Sequence, residues 1–420
     1  MGVFKPNVGH YNCTSKRLKY NMKNLLYLKD INLFNKYIVI RVDFNVPMKN
    51  GIISSATKIK RSLSTIKFAI EKGAKIIIMS HFGNPKEGYI NQKYSLKPIA
   101  NYFSSLINKP VKFTQNYNKR NLKKREILFL ENVRFNLGEK SNNINLSKKL
   151  ANLCDIFIMD AFGVSHRIHS STCGIAEFAP ISCAGFLLEE ELTQLKINVD
   201  KMKSPILSII GGSKISTKIT LLDELLEKVD DLVIGGGIAN TFLLAKGLNI
   251  GSSIHESNLI HYANNLMNKK VKCNIHLPVD VYVTKDFSSA KSKFINQISK
   301  NEKILDLGKK TLINICSLIQ RSKTIILNGP VGAYEMPLFS HGTFTILDKI
   351  SKTSSFSIAG GGDTIASIEN YKFDKFISYI STGGGAFLEY LKKNTLPILK
   401  FLEKSNEKNK NINYIRTNNR

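Results

Sequence analysis

The sequence predicts an α/β fold with mostly parallel sheets, and three observations carry it. Short apolar runs recur along the chain, near-continuous rather than alternating, as in strands buried on both faces. These runs end in polar or glycine-rich turns. Helical patterns follow several of the turns, and strand, turn and helix in alternation mark parallel sheets covered by helices. At 420 residues the chain is too long for one ordinary core, so two or three domains are expected.

In the first half, Tyr37–Ile40 runs into Arg41-Val42-Asp43-Phe44-Asn45, and Lys75–Ser80 into His81-Phe82-Gly83. Ile127–Leu130 runs into Glu131-Asn132-Val133-Arg134, and Ile156–Met159 into Asp160-Ala161-Phe162-Gly163. In the second half, Ile206–Ile210 meets Gly211-Gly212-Ser213-Lys214, and Leu232–Ile234 meets Gly235-Gly236-Gly237. Thr324–Leu327 meets Asn328-Gly329-Pro330-Val331-Gly332, Phe356–Ala359 meets Gly360-Gly361-Gly362-Asp363-Thr364, and Phe376–Ile380 meets Ser381-Thr382-Gly383-Gly384-Gly385. Helical patterns cover Ile215–Glu227, Ile238–Lys246 and Phe387–Lys392. Parallel sheets bind ligands at the carboxyl ends of their strands, where all these turns fall. The first-half turns carry Arg, His, Asp and Asn side chains, suited to gripping a small anion. The second-half turns carry glycines, which let backbone N–H groups at helix N-termini approach phosphates.

The acidic stretch Leu187–Val199 reads as a connecting helix. The expected division is an N-terminal extension over 1–21, disordered, a lobe over 22–190, the connection at 191–199, and a second lobe over 200–390. Residues 391–420 are expected to return towards the N-terminal lobe and to end in a basic, Lys/Asn-rich tail that frays after Leu402.

Apolar residues form 43% of the chain and charged residues 22%, which excludes a largely disordered or collagen-like polymer. Sixty-one Lys and Arg face 32 Asp and Glu, a formal charge of +29. Lys, Asn and Ile crowd every part of the chain, which reads as compositional drift rather than one basic face. No helix-turn-helix, zinc-finger or RNP motif accompanies the charge, so no specific nucleic-acid partner is expected. No apolar run approaches the roughly 20 residues of a membrane span. The six cysteines form no C-x-x-C pair, which fits reduced, core-filling thiols. Residues 1–21 hold no apolar core of a secretory signal. A cytoplasmic protein is therefore expected.

Walker A is absent, since Gly211-Gly212-Ser213-Lys214 has the wrong spacing. The dinucleotide fingerprint fails because Asn240 stands three residues after Gly237, and Ile365 three after Gly362. The H-E-x-x-H and G-x-S-x-G motifs are also missing. Phosphate contact therefore rests on three glycine triplets, each directly after an apolar strand. Asp363, just past one triplet, suits a Mg²⁺ bound through one carboxylate and phosphate oxygens, or a helix N-cap.

From about Met22 to Leu402 the sequence resembles phosphoglycerate kinases of bacterial type. The matching segments are Arg41-Val42-Asp43-Phe44-Asn45-Val46-Pro47, Ser80-His81-Phe82-Gly83, Glu131-Asn132-Val133-Arg134-Phe135, Asp160-Ala161-Phe162-Gly163 and His166-Arg167. Gly211-Gly212-Ser213-Lys214 with Lys218, Asn328 to Gly332, Gly360 to Thr364 and Ser381 to Ala386 complete them. The resemblance implies two doubly wound, Rossmann-like parallel-sheet lobes facing a central cleft, joined by a helix, in a monomer. It implies reversible transfer of the acyl phosphate of 1,3-bisphosphoglycerate to ADP, giving 3-phosphoglycerate and ATP, with Mg²⁺. Asp43, Phe44, Asn45, Lys58, His81, Phe82, Gly83, Asn84, Arg134 and Arg167 would form the triose side. Lys58, Lys214, Gly384 and Gly385 would serve the moving phosphoryl group. Lys218, Glu335, Gly361, Gly362, Asp363 and Thr364 would form the nucleotide site, with Asp363 facing the metal.

Two positions depart from the family pattern: Lys58 and Asn84 stand where arginines are expected. Lysine keeps the charge but loses the bidentate fork, and Asn84 loses the charge altogether. Arg61, one helical turn after Lys58, could compensate. Reduced activity is the expectation. The alternatives are an impaired ligand-binding relative on the same fold and a basic polyanion-binding protein.

Overall fold

The computed structural model describes residues 24–418 apart from 50, 54, 118–121, 382 and 394. The expected extension over 1–21 lies outside them. Strands β1 (Tyr37–Arg41), β4 (Lys75–Met79), β5 (Val111–Thr114), β6 (Ile127–Leu130), β7 (Ile156–Met159) and β8 (Ile181–Ala184) form one parallel sheet; a small hairpin, β2 (Met48–Lys49) and β3 (Ile52–Ile53), follows β1. The sheet's order is β5-β6-β4-β1-β7-β8. The central register sets Ile38 against Ile76 and Ile156, and Val39 against Ile77 and Phe157. Ile38, Ile40, Ile76, Ile78 and Phe129 enter one core, while Val39, Ile77, Met79 and Phe157 enter another on the opposite face. Burial on both faces explains why these strands read as unbroken apolar runs.

The second parallel sheet comprises β9 (Ile206–Ile210), β10 (Asp231–Ile234), β11 (Asn274–His276), β15 (Thr324–Asn328), β16 (Phe356–Gly360) and β17 (Tyr379–Ser381), in the order β11-β10-β9-β15-β16-β17. This is the dinucleotide-fold order, and it reverses between β9 and β15. Strands β12 (Asp280–Thr284), β13 (Lys291–Phe294) and β14 (Lys303–Leu307) form a separate antiparallel sheet in the order β13-β12-β14. The sequence does not announce it, because β13 is a short, charged and largely exposed edge.

The helix Phe186–Lys201 lies between the two sheets in sequence. The pattern over Ile215–Glu227 breaks into a 3-10 turn, Ile215–Thr217, and a helix, Ile219–Leu225. Lys218 leaves helical geometry there, at φ −132°. The last strand starts at Tyr379 rather than Phe376, whose exposed ring ends a 3-10 turn. The tail does not fray at Leu402: a helix runs over Pro397–Asn418. Its first turns bury Ile398, Leu399 and Leu402. Ser405 Oγ accepts from Ser182 N of β8, and Asn406 donates to Asn24 O, so burial against the first sheet holds this polar segment helical. Among the described residues, Cys154, Cys173, Cys183 and Cys273 are buried, Cys316 is half-buried, and no two of them are joined in a disulfide.

Candidate functional site

The first sheet presents its site at the carboxyl ends of β1, β4, β6 and β7. Val42 N bonds Met79 O, which carries the chain from β1 over the end of β4. Asp43 Oδ2 then lies 2.9 Å from Lys58 Nζ. Burial raises the Asp43 pKa, but the Lys58 and Arg41 charges act against it, and the carboxyl is held well below the usual range. Asn45 Oδ1 accepts from Gly83 N at 3.0 Å, and Gly83 O accepts from Arg134 Nη1 at 2.5 Å. Gly83 has φ +58°, and a Cβ there would stand 2.3 Å from the Tyr94 ring, so only glycine fits. Arg134 sits on a short 3-10 turn, Val133–Phe135, whose start is capped by Asn132. Its Nε is buried with no partner among the described residues. Burial, then the charges of Arg167 and Arg41, push its pKa down to about 10. Arg167 is exposed, with Nε 3.4 Å from His166 Nε2.

The structure thus gathers Asp43, Asn45, Lys58, His81, Gly83, Arg134 and Arg167 on one side. It does not bring every expected contact there. The Phe44 ring points into the core, 5.6 Å from Phe103 and 6.0 Å from Phe129, so it is no substrate contact. Phe82 is half-buried against Tyr94. Asn84 is exposed beside Gly83 and adds no charge. Arg61 does not compensate for Lys58. Its guanidinium binds Glu191 and Glu190 of the helix Phe186–Lys201 and is taken up by that helix.

The second sheet presents glycine turns at its order reversal. Lys218 Nζ is held by Gly211 O at 2.7 Å, and by Asn328 O and Asn328 Oδ1, each at 2.6 Å. It ties the β9 and β15 turns together, so all three of its protons are committed within the protein. Burial lowers its pKa to about 8, against the opposing charge of Asp363. Thr364 is likewise committed: its hydroxyl donates to Gly360 O and accepts from Gly329 N. Gly361 takes φ +101°, and Gly362 opens the helix Gly362–Asn370 with open space at its Cβ position. The helix Gly236–Ala245 starts in the same way, and neither N-terminus has a side-chain cap. At the helix Gly236–Ala245, Gly236 N and Ile238 N are already taken by Val331 O and Gly212 O, so it is the helix Gly362–Asn370 that points first-turn N–H groups outward. Gly212, Gly236, Gly237, Glu335 and Asp363 line a cavity of about 250 Å³. Lys214 is exposed and follows Gly212 and Ser213, which line the cavity. Asp363 is an exposed carboxylate. No cluster of three or more His, Cys, Asp or Glu that could hold a metal exists among the described residues. That donor set fits a Mg²⁺ that arrives with phosphate oxygens and takes one carboxylate, rather than a metal caged by protein.

The two sides meet through glycine. A Cβ on Gly383 would stand 2.7 Å from Gly163 Cα and from the Phe162 ring, and one on Gly385 would stand 3.2 Å from the His166 ring. Gly384 opens the helix Gly384–Lys393 and lies against Gly360 and Gly361. Thr382 of this turn lies outside the described residues. Sequence reading missed Arg41, Glu139, Glu191 and Asp306. Arg41 carried one signal, a charge at the end of an otherwise apolar strand. Asp306 bonds Gly342 N and Leu307 N, and burial pushes it up to about 7. It sits in β14, a strand the sequence did not reveal.

Cationic side chains on the turns of one parallel sheet, facing glycine turns and the open N-terminus of the helix Gly362–Asn370 on another, define an α/β protein of two parallel sheets that holds phosphorylated ligands. The chain belongs to the phosphoglycerate kinase family, whose model matches residues 28–394. The phosphoglycerate kinase of Legionella pneumophila (strain Paris) is 46% identical over 386 residues, covering 90% of this chain and 98% of that relative. That of Buchnera aphidicola subsp. Schizaphis graminum is 48% identical over 387 residues, covering 91% and 99%. Solved phosphoglycerate kinases superpose as well. The Coxiella burnetii protein has a TM-score of 0.73 at 42% identity, covering 90% of this chain and 99% of its own. The Pyrococcus horikoshii protein has 0.77 at 31%, covering 91% and 100%.

Proposed function

We propose that this chain catalyses its family's reaction, reversible transfer of the acyl phosphate of 1,3-bisphosphoglycerate to ADP, with the roles divided between the two sheets. In the forward direction a terminal oxygen of ADP attacks the acyl phosphorus. The bond from phosphorus to the carboxyl oxygen breaks, leaving 3-phosphoglycerate and ATP. Asp43, Asn45 and His81 hold the triose, and Arg134 and Arg167 grip its phosphate, where a planar fork suits phosphate oxygens. The orphaned Nε of Arg134 supports this, since a buried unpaired donor is costly unless a ligand satisfies it. Lys58 and Lys214 neutralise the moving group, and the N–H groups of Gly384 and Gly385 receive it. Glu335, Gly361 and Gly362 line the nucleotide site. Asp363 would hold Mg²⁺, which supplies charge neutralisation on the phosphate oxygens. Lys218 must release at least one internal acceptor before it meets phosphate, and Thr364 shapes the turn from beneath.

The observation that carries the proposal is the glycine contact of Gly383 on Gly163. It supports the reading because the Gly383–Gly385 turn lies over the turn that packs on Asp43, which suits direct transfer by positioning and charge neutralisation. Residues 22–190 and 200–390 act as the two lobes, with 191–199 between them. The protein works as a cytoplasmic monomer, and no helix among its described residues is long and apolar enough to cross a membrane. The test is turnover of the purified chain with 3-phosphoglycerate and Mg-ATP, read through a coupled dehydrogenase that consumes the acyl phosphate. Turnover is expected, slowed by Lys58 and Asn84. No turnover with intact nucleotide binding would reject the proposal and leave an impaired binding relative.

A further inference from the structure

Arg41 ends β1 as a fully buried guanidinium, 1% exposed. Its bonds run in three directions. Nη1 donates to Val42 O at 2.6 Å, Nε donates to Ser171 Oγ at 3.1 Å, and Nη2 lies 3.3 Å from His81 Nδ1. Behind Arg41 stands Glu139, with no solvent exposure. The Ser171 hydroxyl accepts from Arg41, so its own proton goes to Glu139 Oε1. The second Glu139 oxygen accepts from Ser171 N at 3.0 Å. His169 Nδ1 lies 3.7 Å from Glu139 Oε1.

We infer that Arg41 is a positioning residue that fixes His81 as its neutral Nε2–H tautomer, and that Glu139, acting through Ser171, holds Arg41 in place. A guanidinium carries only donors, so the His81 nitrogen facing it must be a bare acceptor. The ring proton then sits on Nε2, the nitrogen that faces Asp43 Oδ1 at 3.9 Å, too far for a hydrogen bond. Burial also disfavours the charged ring, and the Arg41, Arg134 and Lys58 charges add to it against the opposing Asp43. The outcome is a directional N–H aimed at the triose side. The other tautomer would turn a lone pair toward an anionic oxygen and repel it.

The inference rests on His81 as a triose contact, and one experiment separates the two claims. The protein is labelled with ¹⁵N-histidine and its two-bond ¹H–¹⁵N correlations are recorded at pH 7, with His81→Gln assigning the signal among eight histidines. A protonated Nε2 with a bare Nδ1 is expected. A protonated Nδ1, or a doubly protonated ring, overturns the inference. Adding 3-phosphoglycerate should move the Nε2 signal. An unmoved signal with the tautomer intact rejects the triose contact and leaves the tautomer standing. In Ser171→Ala, mixed tautomers are expected, with about tenfold weaker 3-phosphoglycerate binding and unchanged Mg-ATP binding. Ser171→Thr, which keeps the hydroxyl, should restore both. Glu139→Gln should shift the tautomer as Ser171→Ala does. If both Ser171→Ala and Glu139→Gln bind Mg-ATP normally yet keep the wild-type tautomer and affinity, the relay is wrong.

Discussion

Arg61 Nη1 lies 2.7 Å from Glu191 Oε1. Tyr379 of β17 donates its hydroxyl to the other Glu191 oxygen. Glu191 has no solvent exposure and sits on the helix between the sheets. One buried carboxylate therefore links the helix Thr57–Arg61 beside the first sheet to the last strand of the second.

Arg61→Ala leaves that carboxylate half-compensated, so a stability loss of about 3 kcal/mol is expected. A Glu191→Gln variant should keep the Tyr379 bond and lose the charge pair. Its kcat should fall while the affinities for each substrate alone hold. Urea midpoints and separate titrations of 3-phosphoglycerate and Mg-ATP would measure both. Equal losses in binding and turnover would count against a linking role.

Lys58 sits at the Asp43 carboxylate as a point charge. Lys58→Arg offers a fork that can keep Asp43 with one arm and meet phosphate with another. Turnover should rise several-fold, up to about tenfold, because cationic groups on a transferring phosphoryl matter strongly. Steady-state kinetics with both substrates saturating would show it. No gain would mean that lysine is fully adequate here.

Gly383→Ala places a methyl 2.7 Å from the Gly163 backbone, which cannot move aside as a flexible side chain can. Each lobe should still bind its own substrate. Turnover should fall about a hundredfold, because a misplacement of about 1 Å at the reacting centre carries that order of loss. Calorimetry of each substrate beside kinetics tests this. A variant with wild-type kcat would remove the contact from the mechanism.

Asp160 is buried beside the start of the helix Phe186–Lys201. Its Oδ1 accepts from Leu187 N, and its Oδ2 has no partner among the described residues. Burial pushes its pKa up to about 7. The folded state therefore favours the protonated acid. Its stability contribution is full below the unfolded value near about 3.9 and is lost as pH rises towards the folded value. Between the two values the loss runs at about 1.4 kcal/mol per pH unit, and it levels off above the folded one. Asp160→Asn should remove that slope. Urea midpoints at about pH 5 and pH 7 for both proteins give the difference, since that window lies between the two values. Parallel curves would show that Asp160 is already charged at the lower pH.

Much of the site was legible because each turn directly follows a strand. Asp43, His81, Arg134 and Gly361 all sit within a few residues of a buried apolar run, so local order placed them at one edge of a sheet. Lys218 was legible as a residue but not as a role. Its ammonium is held by Asn328, 110 positions away, and no local pattern reports that distance. Phe44 illustrates the converse. It lies inside a functional motif, yet strand alternation continues through it and turns the ring into the core.

Burial on two faces writes itself into continuous apolar runs, so two parallel sheets and the chemistry of their turns can be read from the residues alone. Which charges remain available depends on packing. Arg61 went to Glu191 and Lys218 to the Gly211 and Asn328 oxygens, while Lys214 and Asp363 stayed exposed. The reason is physical: a buried charge takes whatever partner three-dimensional packing brings to it, and that partner is usually remote in sequence.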